Sequence, residues 1–326
     1  MSFSSKFRLG SAIVVLAAGL VGCNHSPAQS VTIFTLQPYP ILDDSIKGIR
    51  QALKKRGYDD TRLVTELNAN GQKGLVSTYA KEIVAAHPDV VVPVSTPITK
   101  AVLNEARLQA SPGKPLQPIV FSTVTNPNDA GMDRHPPNVT GVSDLVDYEA
   151  NIALIREMFP LAKRIGVIYD PGDASAKFGM DKIKIIAERE HLDLRVVPVS
   201  APTEVPDAAR AIVKAVDLVY VGSDNTVTAA MTGLVAICTS AKIPVMASDS
   251  GSVEKGALAA VSVDYVKLGE TVGNIVADIL QTKVAPGKIP NVIYVGKTLL
   301  VNGGMAAKLG VTVPPAVRNR AERIIE

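Results

Sequence analysis

Residues 80–92 read AKEIVAAHPDVVV, and this stretch decides the fold class. Its first half belongs to a helix that apolar spacing predicts over residues 73–86. Its second half opens a run of valines over residues 90–94, which is typical of a parallel strand buried on both faces of its sheet. The stretch therefore predicts a helix that leads directly into a central parallel strand.

A second copy of this pattern lies at residues 209–220, which read ARAIVKAVDLVY. Two further pairs of segments match in the same order along the chain: Ser95-Thr96 with Ser223-Asp224, and residues 118–122 with residues 244–248. An internal match of this kind favours two similar lobes over one long sheet.

Strand and helix alternate in this way from Val31 to Leu309. Short β-branched runs predict the strands, and apolar residues three and four apart predict helices such as Leu42–Arg56 and Val227–Ser240. Such alternation is typical of right-handed βαβ units and parallel sheets. We therefore expect an α/β protein with two similar, doubly wound parallel-sheet lobes.

The N-terminal residues have the pattern of a bacterial export signal. Lys6 and Arg8 form a basic region, and the apolar run 11–22 is too short to span a bilayer but fits a signal peptide. The run ends in Leu-Val-Gly-Cys, which is similar to a lipobox and predicts a signal peptide at residues 1–22, lipidation of Cys23 and a tether at residues 23–30. Several acyl chains would anchor the protein firmly to a membrane. The alternative is a buried N-terminal helix with an incidental cysteine.

Composition and motifs exclude several classes of protein. The hydrophobic content of 47% is ample for a core, and the net charge of +3, which includes Lys6 and Arg8, gives no sign of a nucleic-acid partner. The four histidines are scattered, and the sequence has no glycine-rich nucleotide loop and no Gly-x-Ser-x-Gly motif. Cys238 lies in an apolar, helix-like run and is expected to be a buried free thiol. We therefore expect no metal, no cofactor and no catalytic activity.

Polar side chains follow most of the predicted strands, at the end of a parallel sheet where ligands bind. They are hydroxyls, amides and carboxylates with almost no basic residue among them, which suits a small polar or zwitterionic solute. The candidate ligand-binding residues of this kind are Gln37, Tyr39, Ser95, Thr96, Thr125, Asn126, Ser175, Asp224, Asn225 and Asp249.

Some of these candidates suggest particular roles. Ser95-Thr96-Pro97 puts a proline at a helix start, where free N–H groups and the helix dipole favour a carboxylate. Asp224 or Asp249 could hold a ligand ammonium by a charge-assisted hydrogen bond. The alternative is that each side chain only caps the helix that follows it, and both roles can coexist.

The order of these loops resembles the ABC transporter substrate-binding family that includes tryptophan-binding lipoproteins of the TrpX type, a branch of the type I periplasmic binding proteins. The resemblance covers nearly all of residues 31–314. It is carried by residues 37–43, Ser95-Thr96-Pro97, Thr125-Asn126-Pro127, residues 138–144, residues 162–169, residues 223–226 and residues 306–310.

The resemblance implies two lobes joined by a hinge of three crossovers, near Gly141, residues 257–264 and Asn291. The lobes would comprise residues 31–140 plus 264–290, and residues 141–257 plus 291–326. It also adds Asp144 to the candidate ligand-binding residues. Because Asn126, Tyr39 and the loop 171–176 depart from the family's usual residues, specificity for tryptophan or phenylalanine does not carry over.

The function that we expect is that of an exported, lipid-anchored solute-binding protein of an ABC importer. It would act as a monomer outside the cytoplasm, close by hinge motion on an amino acid or similar small molecule, and deliver it to a membrane permease. The alternative is a ligand sensor of the same fold that acts on a membrane receptor. A periplasmic enzyme is disfavoured because nucleophile, histidine and metal constellations are missing.

Overall fold

The structure is a computed structural model that describes residues 29–58, 63–132 and 136–326. The predicted signal peptide and Cys23 lie outside these described residues. No helix in the described part of the chain is long and apolar enough to cross a membrane.

The first sheet is entirely parallel. Its strands are β1 (Val31–Thr35), β2 (Val64–Asn68), β3 (Val90–Val94), β4 (Ile119–Ser122), β5 (Val139–Leu145) and β11 (Val292–Val295). They lie in the spatial order β11-β5-β4-β3-β1-β2, and the valine-rich β3 is buried along its whole length near the centre.

The second sheet repeats this arrangement. Its strands are β6 (Arg164–Tyr169), β7 (Asp193–Pro198), β8 (Leu218–Val221), β9 (Val245–Ala247), β10 (Ala259–Ser262), β12 (Thr298–Asn302) and β13 (Arg323–Ile325). The order is β13-β12-β10-β9-β8-β6-β7, and all neighbours are parallel except β10 and β12. The internal match in sequence thus pairs β3 with β8 and β4 with β9, which occupy equivalent places, and two similar doubly wound lobes are confirmed.

Helices cover the faces of both sheets. They are α1 (Pro40–Lys55), α2 (Lys73–Ala85), α3 (Thr96–Leu108), α4 (Tyr148–Met158), α5 (Ala174–Arg189), α6 (Val205–Ile212), α7 (Asn225–Ala229), α8 (Met231–Ser240), α9 (Ser250–Glu254), α10 (Tyr265–Thr282), α11 (Gly303–Leu309) and α12 (Pro315–Arg320). The single helix predicted over Val227–Ser240 is divided at Ala230 into α7 and α8. Cys238 of α8 is a buried free thiol, as expected, and burial raises its pKa to about 12.

Two of the predicted crossovers need correction. Strand β5 lies wholly in the first sheet, so the first crossover follows Leu145 and not Gly141. Gly141 is a packing residue, because a Cβ there would lie 2.2 Å from the carbonyl oxygen of Phe121. Strand β11 also belongs to the first sheet, which moves the third crossover from Asn291 to residues 296–297. The lobe boundaries predicted at residues 140 and 290 shift with these two strands.

The three crossovers lie side by side between the lobes. The Gly296 N–H donates to the carbonyl of Leu145 at 3.0 Å, and the Lys297 N–H donates to that of Ser262 at 3.0 Å. On one side of this hinge, Val263 and Tyr265 pack into the core of the first lobe. On the other side, Val146 and Tyr148 pack into the core of the second lobe.

Candidate functional site

The carboxyl ends of the two sheets face each other across a cleft, and side chains predicted from the strand ends meet there. The Gln37 side-chain amide donates to the carbonyl of Asn225 at 3.2 Å. The Ser175 hydroxyl donates to that of Thr96 at 3.0 Å, and the hydroxyl of Thr125 lies 3.4 Å from that of Ser223. The two lobes are therefore in direct contact, and the cleft is closed.

The end of the cleft nearest the hinge is acidic and buried. Asp144, at the end of β5, is 2% exposed, and its Oδ2 accepts a hydrogen bond from the Tyr265 hydroxyl at 3.1 Å. Its other oxygen, Oδ1, has no partner in the described part of the chain. Burial raises the pKa of the Asp144 carboxyl to about 7; the hydrogen bond from Tyr265 lowers this pKa and Asp249 raises it.

Asp249 approaches the same place from the second lobe. Its Oδ1 accepts hydrogen bonds from the Tyr39 hydroxyl at 3.0 Å and the Ser252 N–H at 2.8 Å. Its Oδ2 accepts from the Ser252 hydroxyl at 2.7 Å, and burial raises its pKa. Asp249 thus caps α9 and also binds Tyr39 across the cleft.

Buried polar atoms without a hydrogen-bond partner are concentrated near the carboxyl ends of the strands. Within the described residues they belong to Thr35, Ser95, Ser143, Asp144, Tyr148, Tyr220 and Ser248. Each of these residues lies in the last three residues of a strand, just after a strand or at the start of α4. Buried polar groups in folded proteins are nearly always paired, so their concentration here indicates a place where a bound molecule supplies the missing partners.

Helix N-termini at the cleft differ between the lobes. In the second lobe, the carboxylates of Asp147, Asp173, Asp224 and Asp249 cap α4, α5, α7 and α9. In the first lobe, Asp264 caps α10 in the same way, whereas α1 and α3 begin without a side-chain cap. The residue before α3, Ser95, is buried at a φ of 90°, a strained conformation of the kind that clusters at functional sites. The first N–H groups of α3 are therefore available to an anion.

Asp224 is a helix cap in this structure. Its Oδ1 accepts from the N–H groups of Thr226 and Val227, both at 2.9 Å, and its Oδ2 accepts from the N–H of Asp170 at 2.7 Å. Burial, followed by the charge of Asp173, raises its pKa to about 7. Of the two predicted roles, the contacts favour capping.

Asn225 and Asn126 also have local partners. The Asn225 side chain donates to Asp173 at 2.7 Å, while its carbonyl accepts the bond from Gln37. The Asn126 side chain donates to Asp129 at 2.8 Å within its own loop. Among the predicted candidates, Asp144, Ser95 and Thr96 are therefore more directly suited to a ligand than Asp224, Asn225 or Asn126.

Three tyrosines of the site were not predicted from the sequence. Tyr148 and Tyr265 are the first residues of α4 and α10, directly after a crossover, and Tyr220 lies within β8. All three are buried. A tyrosine at the first position of a helix that follows a crossover could have been predicted as a site residue, whereas Tyr220 has the pattern of an ordinary core residue.

The mouth of the cleft holds a cavity of about 390 Å³ between the lobes. Its wall on the first lobe includes apolar side chains and two lysines: Leu36, Val76, Pro97, Ala101, Lys73 and Lys100. Asp170, Asp173, Pro202 and Asn225 line it from the second lobe. A volume of this size lies within the usual range of small-molecule pockets.

Tyr39 is held by the second lobe. Besides its bond to Asp249, its hydroxyl lies 2.8 Å from that of Ser252, and the Lys255 ammonium lies 4.9 Å from the centroid of its ring. These contacts exist only when the lobes are together. Tyr39 was predicted as a ligand-binding residue, and its contacts are those of a latch between the lobes.

We expect Tyr39→Phe to shift the ligand-free protein toward an open form. Losing a hydrogen bond to a charged group costs about 1.5–3 kcal/mol in the closed form and nothing in the open form. The apparent ligand affinity should therefore fall by about tenfold or more. Solution scattering of the ligand-free variant should give a larger radius of gyration, whereas Tyr79→Phe, at a ring that packs on Phe34 within the first lobe, should leave it unchanged. An unchanged radius for Tyr39→Phe would exclude the latch.

The described residues contain no group of three His, Cys, Asp or Glu side chains that could hold a metal ion.

Comparison with known proteins gives one family and several similar structures. Residues 30–325 match the model of a family described as ABC transporter substrate binding protein. A tyrosine-binding protein of Clostridioides difficile (strain R20291) is 30% identical over 268 residues, which cover 80% of this chain and 75% of that protein.

Two solved structures, one with a bound ligand and one open and ligand-free, differ in their TM-scores to this chain. An ABC domain from Streptococcus pneumonia in complex with L-Trp has a TM-score of 0.84 at 26% identity. A ligand-free, open structure of a substrate-binding protein with adhesive properties from Clostridium difficile has a TM-score of 0.66 at 28% identity. Each comparison covers 91% of this chain and 99% of the other. The lobes here are thus arranged more nearly as in the complex than as in the open structure.

Proposed function

This chain belongs to the ABC transporter substrate-binding protein family, and on that premise we propose that it binds a zwitterionic amino acid between its lobes for delivery to an ABC importer. The family and the similar structures are solute-binding proteins, so the chain is not an enzyme. The observation that carries the proposal is the concentration of unpartnered, buried polar atoms at the cleft.

The charges of the cleft complement those of an α-amino acid. The buried carboxyls of Asp144 and Asp249 at the hinge end suit an ammonium group, since charge-assisted hydrogen bonds are the strong ones. The uncapped N-terminus of α3, beside the free hydroxyl of Ser95, suits a carboxylate. A zwitterion would satisfy both ends of the site without net charge.

The cavity at the mouth of the cleft and the relatives indicate what kind of side chain the ligand has. The cavity combines apolar walls with polar groups, and about 390 Å³ leaves room for a large side chain. One relative is described as tyrosine-binding, and one similar structure contains L-Trp. We therefore propose aromatic amino acids, tyrosine and tryptophan among them, as the first ligands to test.

Binding would proceed by hinge closure. The three adjacent crossovers provide a hinge, and ligand contacts from both lobes would stabilise the closed form over the open form. The higher similarity to the L-Trp complex than to the open structure supports this mechanism. We further propose that the protein acts outside the cytoplasm as a monomer, anchored through a lipid on Cys23 and in contact with a membrane permease. A sensor that acts on a membrane receptor remains the second candidate because it would use the same cleft.

Thermal unfolding in the presence of each of the twenty common amino acids tests the proposal. We expect one or a few of them, with L-tyrosine and L-tryptophan the first candidates, to raise the melting temperature by mass action. The same ligand should reduce the radius of gyration in solution scattering, while glycerol as a neutral control should change neither. A protein that none of the twenty stabilises would contradict amino acid binding. Stabilisation without a change in the scattering would contradict hinge closure.

A further inference from the structure

We propose, on the premise of the amino acid binding described above, that the buried carboxyl of Asp144 carries a proton until a ligand binds and releases this proton when a ligand ammonium takes its place. This proton would neutralise the carboxyl when no ligand ammonium is bound. Binding would then be an exchange of a proton for an ammonium group, and its strength would depend on pH.

Four buried tyrosines lie near the two carboxyls. Tyr265 begins α10, Tyr148 begins α4, Tyr39 precedes α1 and Tyr220 lies in β8. The hydroxyls of Tyr265 and Tyr39 are hydrogen-bonded to Asp144 and Asp249, respectively. In the part of the chain that the structure describes, neither carboxyl belongs to an ion pair, and the nearby Lys255 ammonium lies over the ring of Tyr39.

Electrostatics makes a negative charge on Asp144 costly. The residue is 2% exposed, and its Oδ1 accepts no hydrogen bond within the described residues. Burial and like charge each disfavour the ionised form of a carboxyl. Burial, with a smaller effect of Asp249, raises the pKa of Asp144 to about 7, so this carboxyl holds close to one proton below neutral pH. Burial also raises the pKa of Asp249, although its hydrogen bonds from Ser252 and Tyr39 oppose the rise.

The unpartnered Oδ1 of Asp144 identifies the atom where the exchange takes place. Every other oxygen of the pair already accepts a hydrogen bond, so a proton or an ammonium group has its free acceptor at this atom. An ammonium there favours the ionised carboxyl and expels the proton to solvent. The affinity for an amino acid should therefore rise about tenfold for each pH unit up to about pH 7, and then level off.

The test measures proton release during binding. L-tyrosine and L-tryptophan are titrated by calorimetry in two buffers of different ionisation enthalpy, at about pH 6 and about pH 8.5. We expect close to one proton released at the lower pH and almost none at the higher pH. Their deaminated analogues, which keep the ring and the carboxylate but lack the ammonium, should release none at either pH. Binding of both amino acids without proton release at the lower pH would overturn the inference while leaving the proposed function intact.

Two variants locate the proton. Asp144→Asn should abolish the release and weaken amino acid binding above pH 7 by about ten- to a hundredfold, the scale of a hydrogen bond to a charged group. Asp224→Asn is the matched control, since Asp224 is also buried with a raised pKa but bonds only to backbone N–H groups of its own lobe. Release that persists in Asp144→Asn, or that disappears in Asp224→Asn as well, would overturn the assignment.

A ligand-free measurement keeps the inference testable if neither amino acid binds. For an acid whose pKa is raised on folding, stability falls as pH rises from the unfolded value near 4 toward about 7. The melting temperature of Asp144→Asn relative to the unchanged protein should therefore increase over this range. Failure of both amino acids to bind would count against the proposed function, whereas a difference that stays constant with pH would count against the proton on Asp144.

Discussion

Replacing Asn151 with leucine should lower the free energy of unfolding by about 3–5 kcal/mol, because it leaves two buried backbone groups unpaired. The Asn151 side chain in α4 donates to the carbonyl of Val261 at 3.0 Å and accepts from the N–H of Val261 at 3.0 Å. Strand β9 pairs only with Ala259 and Ala260, so Val261 has no strand partner on this side. The Asn151 amide therefore makes the two hydrogen bonds to Val261 that a neighbouring strand would otherwise make.

Urea denaturation checks this expectation. Asn319→Leu, at an exposed position of α12, is the control and should change the stability by less than about 0.5 kcal/mol. Because Val261 directly precedes the crossover at Ser262, a folded Asn151 variant should also show altered hinge closure in solution scattering. If Asn151→Leu were as stable as the unchanged protein, the amide would not be pairing with Val261.

The second large effect is expected for Gly269→Ala, which should lower the free energy of unfolding by about 3 kcal/mol or more. Helices α1 and α10 touch backbone to backbone, since a Cβ at Gly269 would lie 2.0 Å from the carbonyl oxygen of Ser45. Likewise, a Cβ at Gly48 would lie 2.1 Å from that of Val266. Neither helix can relieve the clash by rotating a side chain, so the two helices must move apart. Overpacking of this kind commonly costs about 1–3 kcal/mol and occasionally more.

Gly233→Ala is the matched control for this variant. Gly233 is an exposed residue of α8 with no atom within 4 Å of an added Cβ, so alanine there should stabilise the protein by about 0.5–1 kcal/mol. Thermal unfolding of the two variants should therefore shift in opposite directions. Since α1 follows Tyr39 and α10 begins with Tyr265, the loss of packing at Gly269 should also weaken ligand binding. Equal shifts in the same direction would contradict the close contact.

The strand ends predicted the place of the site better than the roles of its residues. Gln37, Thr96, Ser175 and Asp249 all meet at the cleft because parallel strands deliver their carboxyl ends to one edge. The structure shows Tyr39 in contact with the second lobe, and its contact with a ligand stays a prediction. A strand end gives the position of a side chain but not its hydrogen-bond partners.

The position of the hinge shows a similar limit. The family resemblance placed the first crossover near Gly141, but Gly141 lies inside β5, where the absence of a side chain allows close contact with Phe121. A glycine at a turn and a glycine at a packing contact have the same letter in the sequence. Only the position of the neighbouring strand distinguishes them.

The sequence by itself determined the α/β class, the two matching lobes and the edge of each sheet at which the candidate site lies. These features follow from periodicities of two and of three to four residues, which are local properties of the chain. The tertiary structure alone decided which polar groups remain free. Asp144 meets Tyr265 across 121 residues, and Tyr39 meets Asp249 across 210. A carboxyl can cap a helix, bind the opposite lobe or stay available to a ligand. Which of these it does depends on contacts between the lobes, because hydrogen bonds and burial are set by neighbours in space.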